Sequence, residues 1–211
     1  PSGGLRPRGV VAPAVASGAM ERPDDDLCLT IAYVGLGLSG KTSNLLYVYH
    51  RTPAERRGVM VSVSDARERS LSFELVPQTL PPVRGRRVRL RLHTTPGTVY
   101  YDLSRERALR DAAGVVLVVD SQRARLDANV EFLADLTRDL AHAGRAPTEL
   151  PWVVQYNKRD LPDAAPVDAL DAALNPRGAP RFEAVAARGE GVFDTLRAAA
   201  RCVLEGFERA G

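Results

Sequence analysis

Cysteine is almost missing. Cys28 and Cys202 are the two in 211 residues, too few in a chain of this length for a disulfide framework, and they lack metal-ligand spacing; both read as small core residues in a reducing compartment, the cytoplasm. Aromatic residues make up 6% of the chain, so no stacking platform for nucleic acid is expected. No apolar run approaches the ~20 residues that a membrane-spanning helix needs, and no integral membrane segment is expected. His50, His93 and His142 are scattered and read as structural or surface residues. Neither sign of charge dominates: 29 Lys and Arg face 26 Asp and Glu. The small basic excess is Arg dispersed among acids, which gives no argument for a nucleic-acid partner.

What is present is the composition of one globular domain, 45% hydrophobic and 26% charged. Residues 1–23 are rich in Gly, Pro, Ala and Ser without helical or strand period and read as a flexible tail; a secretory leader is the rival reading, and Pro7 and Pro13 interrupt its apolar stretch. The domain is expected over 24–211.

Its centre is LCLTIAYVGLGLSGKT, residues 27–42. An apolar strand runs into Gly35, four free positions, then Gly40-Lys41-Thr42, and a segment with helical spacing at Leu45, Leu46, Val48 and Tyr49 follows. This is the pattern of a phosphate loop. Gly35, Gly37 and Gly40 let backbone N–H groups curl inward as an anion nest at a helix N-terminus. Lys41 then reaches the β- and γ-phosphates, and the Thr42 hydroxyl is placed to ligate Mg²⁺.

Downstream, residues 51–70 are polar and read as a mobile loop. Strands are expected at 71–76 and 87–93, paired as a hairpin, with Arg87, Arg89 and Arg91 on a solvated face. A helix-like stretch over 100–112, a strand at 114–120, an amphipathic helix over 126–142 and a strand at 152–157 follow. A short helix near 167–173, a strand around 181–185 and a closing helix over 192–207 complete an α/β fold: a mostly parallel central sheet with one antiparallel hairpin and helices on both faces.

Asn157, Lys158 and Asp160 form Asn-Lys-x-Asp at the end of a strand, the edge where open sheets bind ligands. A carboxylate at Asp160 accepts two hydrogen bonds from the N1–H and N2–H₂ of guanine, which adenine cannot offer, and the Lys158 stem lies along the base. The expected ligands are GTP and GDP with Mg²⁺. A P-loop kinase or adenine-specific ATPase would have to explain this run away.

These motifs, with LHTTPGTVYYDLSRERALRDAAGVVLVVDSQ, VVQYNKRDLP, LNPRGAP and FEAVAARGEGVFDTLR, closely resemble the MglA family of bacterial Ras-like small GTPases, the gliding-motility and cell-polarity switches, over about residues 27–207. Most specific is Thr94-Thr95-Pro96-Gly97, because ordinary Ras-like proteins carry Asp at the position of Thr94. The resemblance implies a Ras-like P-loop G domain. It makes Gly35, Gly37, Leu38, Ser39, Gly40, Lys41, Thr42 and Ser43 the phosphate loop. It places Ser70 as a second Mg²⁺ ligand beside Thr42, with Ser64 as an alternative, Arg69 as a built-in arginine finger, and Gly97 in the second switch loop. Ala184 is implied to offer its N–H to guanine O6. Partners implied are a Roadblock-fold homodimer of the MglB type that activates hydrolysis and downstream polarity or motility effectors, at a cytoplasmic site that includes recruitment to a cell pole.

One position departs. Thr98 stands where the family has Gln after Pro-Gly, and its short hydroxyl does not reach as far toward an attacking water. Slow intrinsic hydrolysis is the expectation, with a non-hydrolysing, nucleotide-bound scaffold as the alternative. Asp120, at the end of VVLVVD, is assigned a structural or peripheral role against a rival placement near Mg²⁺.

Overall fold

The computed structural model describes residues 26–64, 69–78, 80–95, 106 and 108–209. The expected tail over 1–23, most of the helix-like stretch and the Pro96-Gly97-Thr98 segment lie outside them.

Among the described residues seven strands form one sheet: β1 (Leu27–Val34), β2 (Val61–Ser64), β3 (Arg69–Leu75), β4 (Val88–Thr94), β5 (Gly114–Asp120), β6 (Trp152–Asn157) and β7 (Arg181–Glu183). Their spatial order is β2-β3-β4-β1-β5-β6-β7. β1 pairs in parallel with β4 and β5, β5 with β6, and β6 with β7, while β3 runs antiparallel to both β4 and β2. β5 is buried along its whole length, as a strand covered on both faces requires.

Among the described residues the helices of eight or more residues are α1 (Lys41–Arg51), α2 (Leu126–His142), α3 (Val167–Leu174) and α4 (Val192–Arg209). The sheet separates two cores. Leu45 and Val48 of α1 and Val192, Leu196 and Val203 of α4 pack with Ile31, Leu90, Leu92 and Val116 on one face. Phe132, Leu136 and Leu140 of α2 and Leu170 and Leu174 of α3 pack with Val34, Val115 and Tyr156 on the other. This is the layered Ras-like G-domain arrangement, with the expected hairpin present as β3 and β4 in the register Phe73↔Leu92.

Three expectations are corrected. The polar stretch 51–70 is not one loop: Ala54–Arg56 forms a 3₁₀ turn and β2 adds an edge strand, Val63 opposite Ser70. Arg89 is not solvated; it is 2% exposed, with a guanidinium nitrogen 2.6 Å from the Asp26 carboxylate. Cys28 is not core, because β1 alternates at its start and turns that side chain outward.

Candidate functional site

Parallel strands leave their C-terminal ends at one edge, and the chain turns there into loops that converge. β1 ends at Val34 and the chain enters the glycine loop. Gly35 has φ 146° and Gly40 φ 106°, and neither position has room for a side chain. A Cβ on Gly35 would lie 2.2 Å from the Val118 carbonyl oxygen, and one on Gly40 would lie 2.0 Å from Nδ2 of Asn157. Leu38 also adopts a left-handed conformation, φ 65°, with its side chain 91% exposed. A non-glycine residue held there is strained, and such strain gathers at ligand-gripping loops.

The loop runs straight into α1. Among the described residues no side chain caps this helix, and its first turn holds no acidic residue; the N–H groups of its first turn, which includes Thr42 and Ser43, have no partner within the helix. The Lys41 ammonium donates to the carbonyls of Gly35 at 2.8 Å and Leu36 at 2.7 Å, folding over the loop. Ser39 Oγ is buried with no hydrogen-bond partner among the described residues. Converging amides, a cation and a helix N-terminus with no acid suit a polyphosphate.

The second loop follows β6. Asn157 Nδ2 donates to the Ser39 carbonyl at 2.7 Å, and its Oδ1 accepts the Ala186 N–H at 2.8 Å. One buried side chain thus joins the glycine loop, its own loop and the turn after β7. Lys158 has φ 64°, and its ammonium lies 2.6 Å from the Asp120 carboxylate. Asp120 is 2% exposed, which accounts for it as an anchor of Lys158. Arg159 bonds Glu183 at 2.9 Å and the Ala165 carbonyl at 2.6 Å. Asp160 is exposed.

Ala184 needs a correction. Its N–H is donated to the Tyr156 carbonyl at 2.8 Å, a bond between neighbouring strands, so that group is used inside the sheet and does not face a base.

No protein-family model matches the chain. It is 46% identical over 181 residues to the mutual gliding-motility protein MglA of Myxococcus xanthus (strain DK1622), a match that covers 86% of this chain and 93% of that protein. The chain belongs to the MglA family.

In this MglA-family chain the remaining expected residues sit on the β3 side. β3 runs against β4, so its first residues, Arg69 and Ser70, lie at the same edge as the glycine loop but two strands, roughly 10 Å, from β1. Ser70 is half-buried in the ladder opposite Val63. Thr94, the residue that sets the MglA pattern apart, is 4% exposed and accepts the Leu71 N–H on its hydroxyl at 2.9 Å. Beyond marking the family pattern, Thr94 ties down the strand that carries Arg69 and Ser70. Gly97 and Thr98 lie outside the described residues, and of the Arg69 and Ser64 side chains nothing is described.

Two groups near this edge are perturbed, the buried Tyr33 and the half-buried His93. Burial pushes the Tyr33 phenol well up from its ordinary value. Burial, aided by the Arg91 charge and opposed by Asp111, lowers the His93 imidazole to about 4. At the C-terminal end of α2, Asp139 and His142 bring ligand atoms within 4.8 Å of one another and of Glu106, so His142 is not isolated in space as its sequence position suggested.

Proposed function

We propose that this chain is a small GTPase of the gliding-motility family that binds GTP and GDP with Mg²⁺ and acts as a molecular switch. The observation that carries the reading is Asn157, whose one side chain bonds the phosphate-type loop at Ser39 and the turn at Ala186. A pocket for phosphates and a pocket for a base are thereby parts of one construction.

The residues present fit both groups. Gly35, Gly37, Leu38, Ser39, Gly40, Lys41, Thr42 and Ser43 surround the phosphates, and Lys41 exchanges its two carbonyl partners for phosphate oxygens. Thr42 and Ser70 are the residues that would hold Mg²⁺, which would neutralise phosphate charge. Asn157, Lys158 and Asp160 take guanine, with the base O6 facing the exposed Ala187 in place of Ala184, since the Ala186 N–H is donated to Asn157 Oδ1. Arg69 supplies positive charge to the transferred phosphoryl group, a contribution of about 10³ to 10⁵ in rate where an arginine is well placed. Charge alone does not orient water, and Thr98 is short for that task. Hydrolysis is therefore slow until a Roadblock-fold partner of the MglB type joins, and the GTP state is the one read by polarity or motility effectors, in the cytoplasm and at a cell pole.

The scaffold alternative, nucleotide bound without an effective cycle, draws on the same Thr98 and on Ser70, which stands where the family resemblance implies the Thr of the first switch loop. Calorimetric titration with GDP and ADP in Mg²⁺ tests the base assignment, and the nucleotide recovered from purified protein reports the hydrolytic state. A preference for ADP, or no affinity for either, overturns the proposal.

A further inference from the structure

Beneath the glycine loop, three polar side chains sit inside an apolar core. Asn44 on α1, Gln155 on β6 and Thr195 on α4 are each 0% exposed, among Leu45, Val153, Val192 and Leu196. They satisfy one another. Asn44 Nδ2 donates to Gln155 Oε1 at 2.7 Å, and Gln155 Nε2 donates back to Asn44 Oδ1 at 2.9 Å and to Thr195 Oγ1 at 2.9 Å.

Two bonds leave the cluster, one at each end. Asn44 Nδ2 reaches the Gly40 carbonyl at 3.0 Å, the last residue of the glycine loop. The Thr195 hydroxyl donates to the Gly191 carbonyl at 2.7 Å, the last residue of the turn that follows β7. Gly191 is itself fixed: φ is 72° and a Cβ would lie 2.1 Å from the Glu183 carbonyl oxygen. The chain of bonds therefore runs from Gly40 to Gly191 under the site, parallel to the direct tie through Asn157.

A buried polar network is a poor route to stability, because three well-packed apolar side chains would serve the core about as well. What it does supply is a defined distance and orientation between the groups at its ends. We infer that Asn44, Gln155 and Thr195 are positioning residues that couple the phosphate end of the site to the base end, so that order imposed on Gly40 is transmitted to the 185–191 turn. This rests on the nucleotide reading above.

Inorganic pyrophosphate occupies the phosphate end alone, so the test is hydrogen exchange of residues 185–191 with and without it. The wild type is compared with Asn44→Leu/Gln155→Met/Thr195→Val, which removes the network without leaving an unpaired group. Thr195→Val alone, which removes the hydroxyl's bonds to Gly191 and to Gln155, serves if the triple variant does not fold. Pyrophosphate is expected to slow exchange in this turn of the wild type, and the variant is expected to bind it yet lose at least about fivefold of that protection, the low end of typical site coupling. GDP should also leave the variant about fivefold faster or more. Pyrophosphate binding with equal protection in both proteins, or with none in the wild type, overturns the coupling alone. A wild type that binds neither pyrophosphate nor GDP overturns the nucleotide reading and the coupling with it.

Discussion

Asn157 donates its side-chain amide to the Ser39 carbonyl at 2.7 Å, so the loop after β6 and the loop after β1 are held by the same residue. Its other atom, Oδ1, takes the Ala186 N–H. Asn157→Ala removes both bonds and leaves a buried donor and acceptor without partners, each worth about 1–3 kcal/mol when orphaned. The expected outcome is GDP dissociation faster by about a hundredfold with the sheet intact, checked by stopped-flow release of a fluorescent GDP and by circular dichroism.

Gly40 faces that same amide. Alanine there would place a Cβ 2.0 Å from Asn157 Nδ2, at a φ of 106° that side chains avoid. Gly40→Ala must move Asn157 or the loop, and either movement opens the site. Loss of guanine nucleotide binding is expected, with a fall in melting temperature of about 2–4 °C for each kcal/mol of strain. Calorimetry and a thermal melt read the two effects separately.

Thr98 calls for the opposite substitution. Glutamine carries a donor and an acceptor on a longer stem, the pair needed to hold water in line with the γ-phosphorus. Thr98→Gln is expected to raise single-turnover GTP hydrolysis by about tenfold or more, some 1.4 kcal/mol of barrier, without changing GDP affinity. Equal rates for the two proteins, measured without and with a Roadblock partner, would show that the water is placed by another group.

How far the sequence could be read followed from how local each cause was. β5 and β6 were legible because buried parallel strands are continuous apolar runs, and 152–157 appears with its expected bounds. α2 was legible from its period, although Val130, which falls at an apolar position of that period, is 40% exposed. Arg89 was misjudged because its partner, Asp26, is 63 residues away, and no local pattern announces a distant counter-charge. β2 was missed because Val-Ser-Val-Ser at a sheet edge has Val61 and Val63 exposed, so neither face carries the burial that makes a strand readable. The glycine loop and Asn157 stood out by residue type. The functions of Thr94, Asp120 and Gln155 did not, since each depends on an atom that only the folded sheet brings within hydrogen-bond reach.

His93 gives the fold a pH dependence with a definite sign. Its Nε2 is buried without a hydrogen-bond partner among the described residues, and burial together with Arg91 lowers its pKa from 6.5 to about 4. The unfolded chain takes up a proton near 6.5 while the folded chain refuses it until about 4, so between those values the unfolded state binds more protons. Stability is therefore full above about pH 6.5, falls as the pH drops through the window, and levels off below about 4, with His93 accounting for up to about 3 kcal/mol of the loss. Urea denaturation at pH 7 and pH 4.5 should show this difference in the wild type. His93→Gln, which keeps an amide near the site but takes up no proton, should flatten it; an unchanged slope would assign the pH dependence to the carboxylates instead.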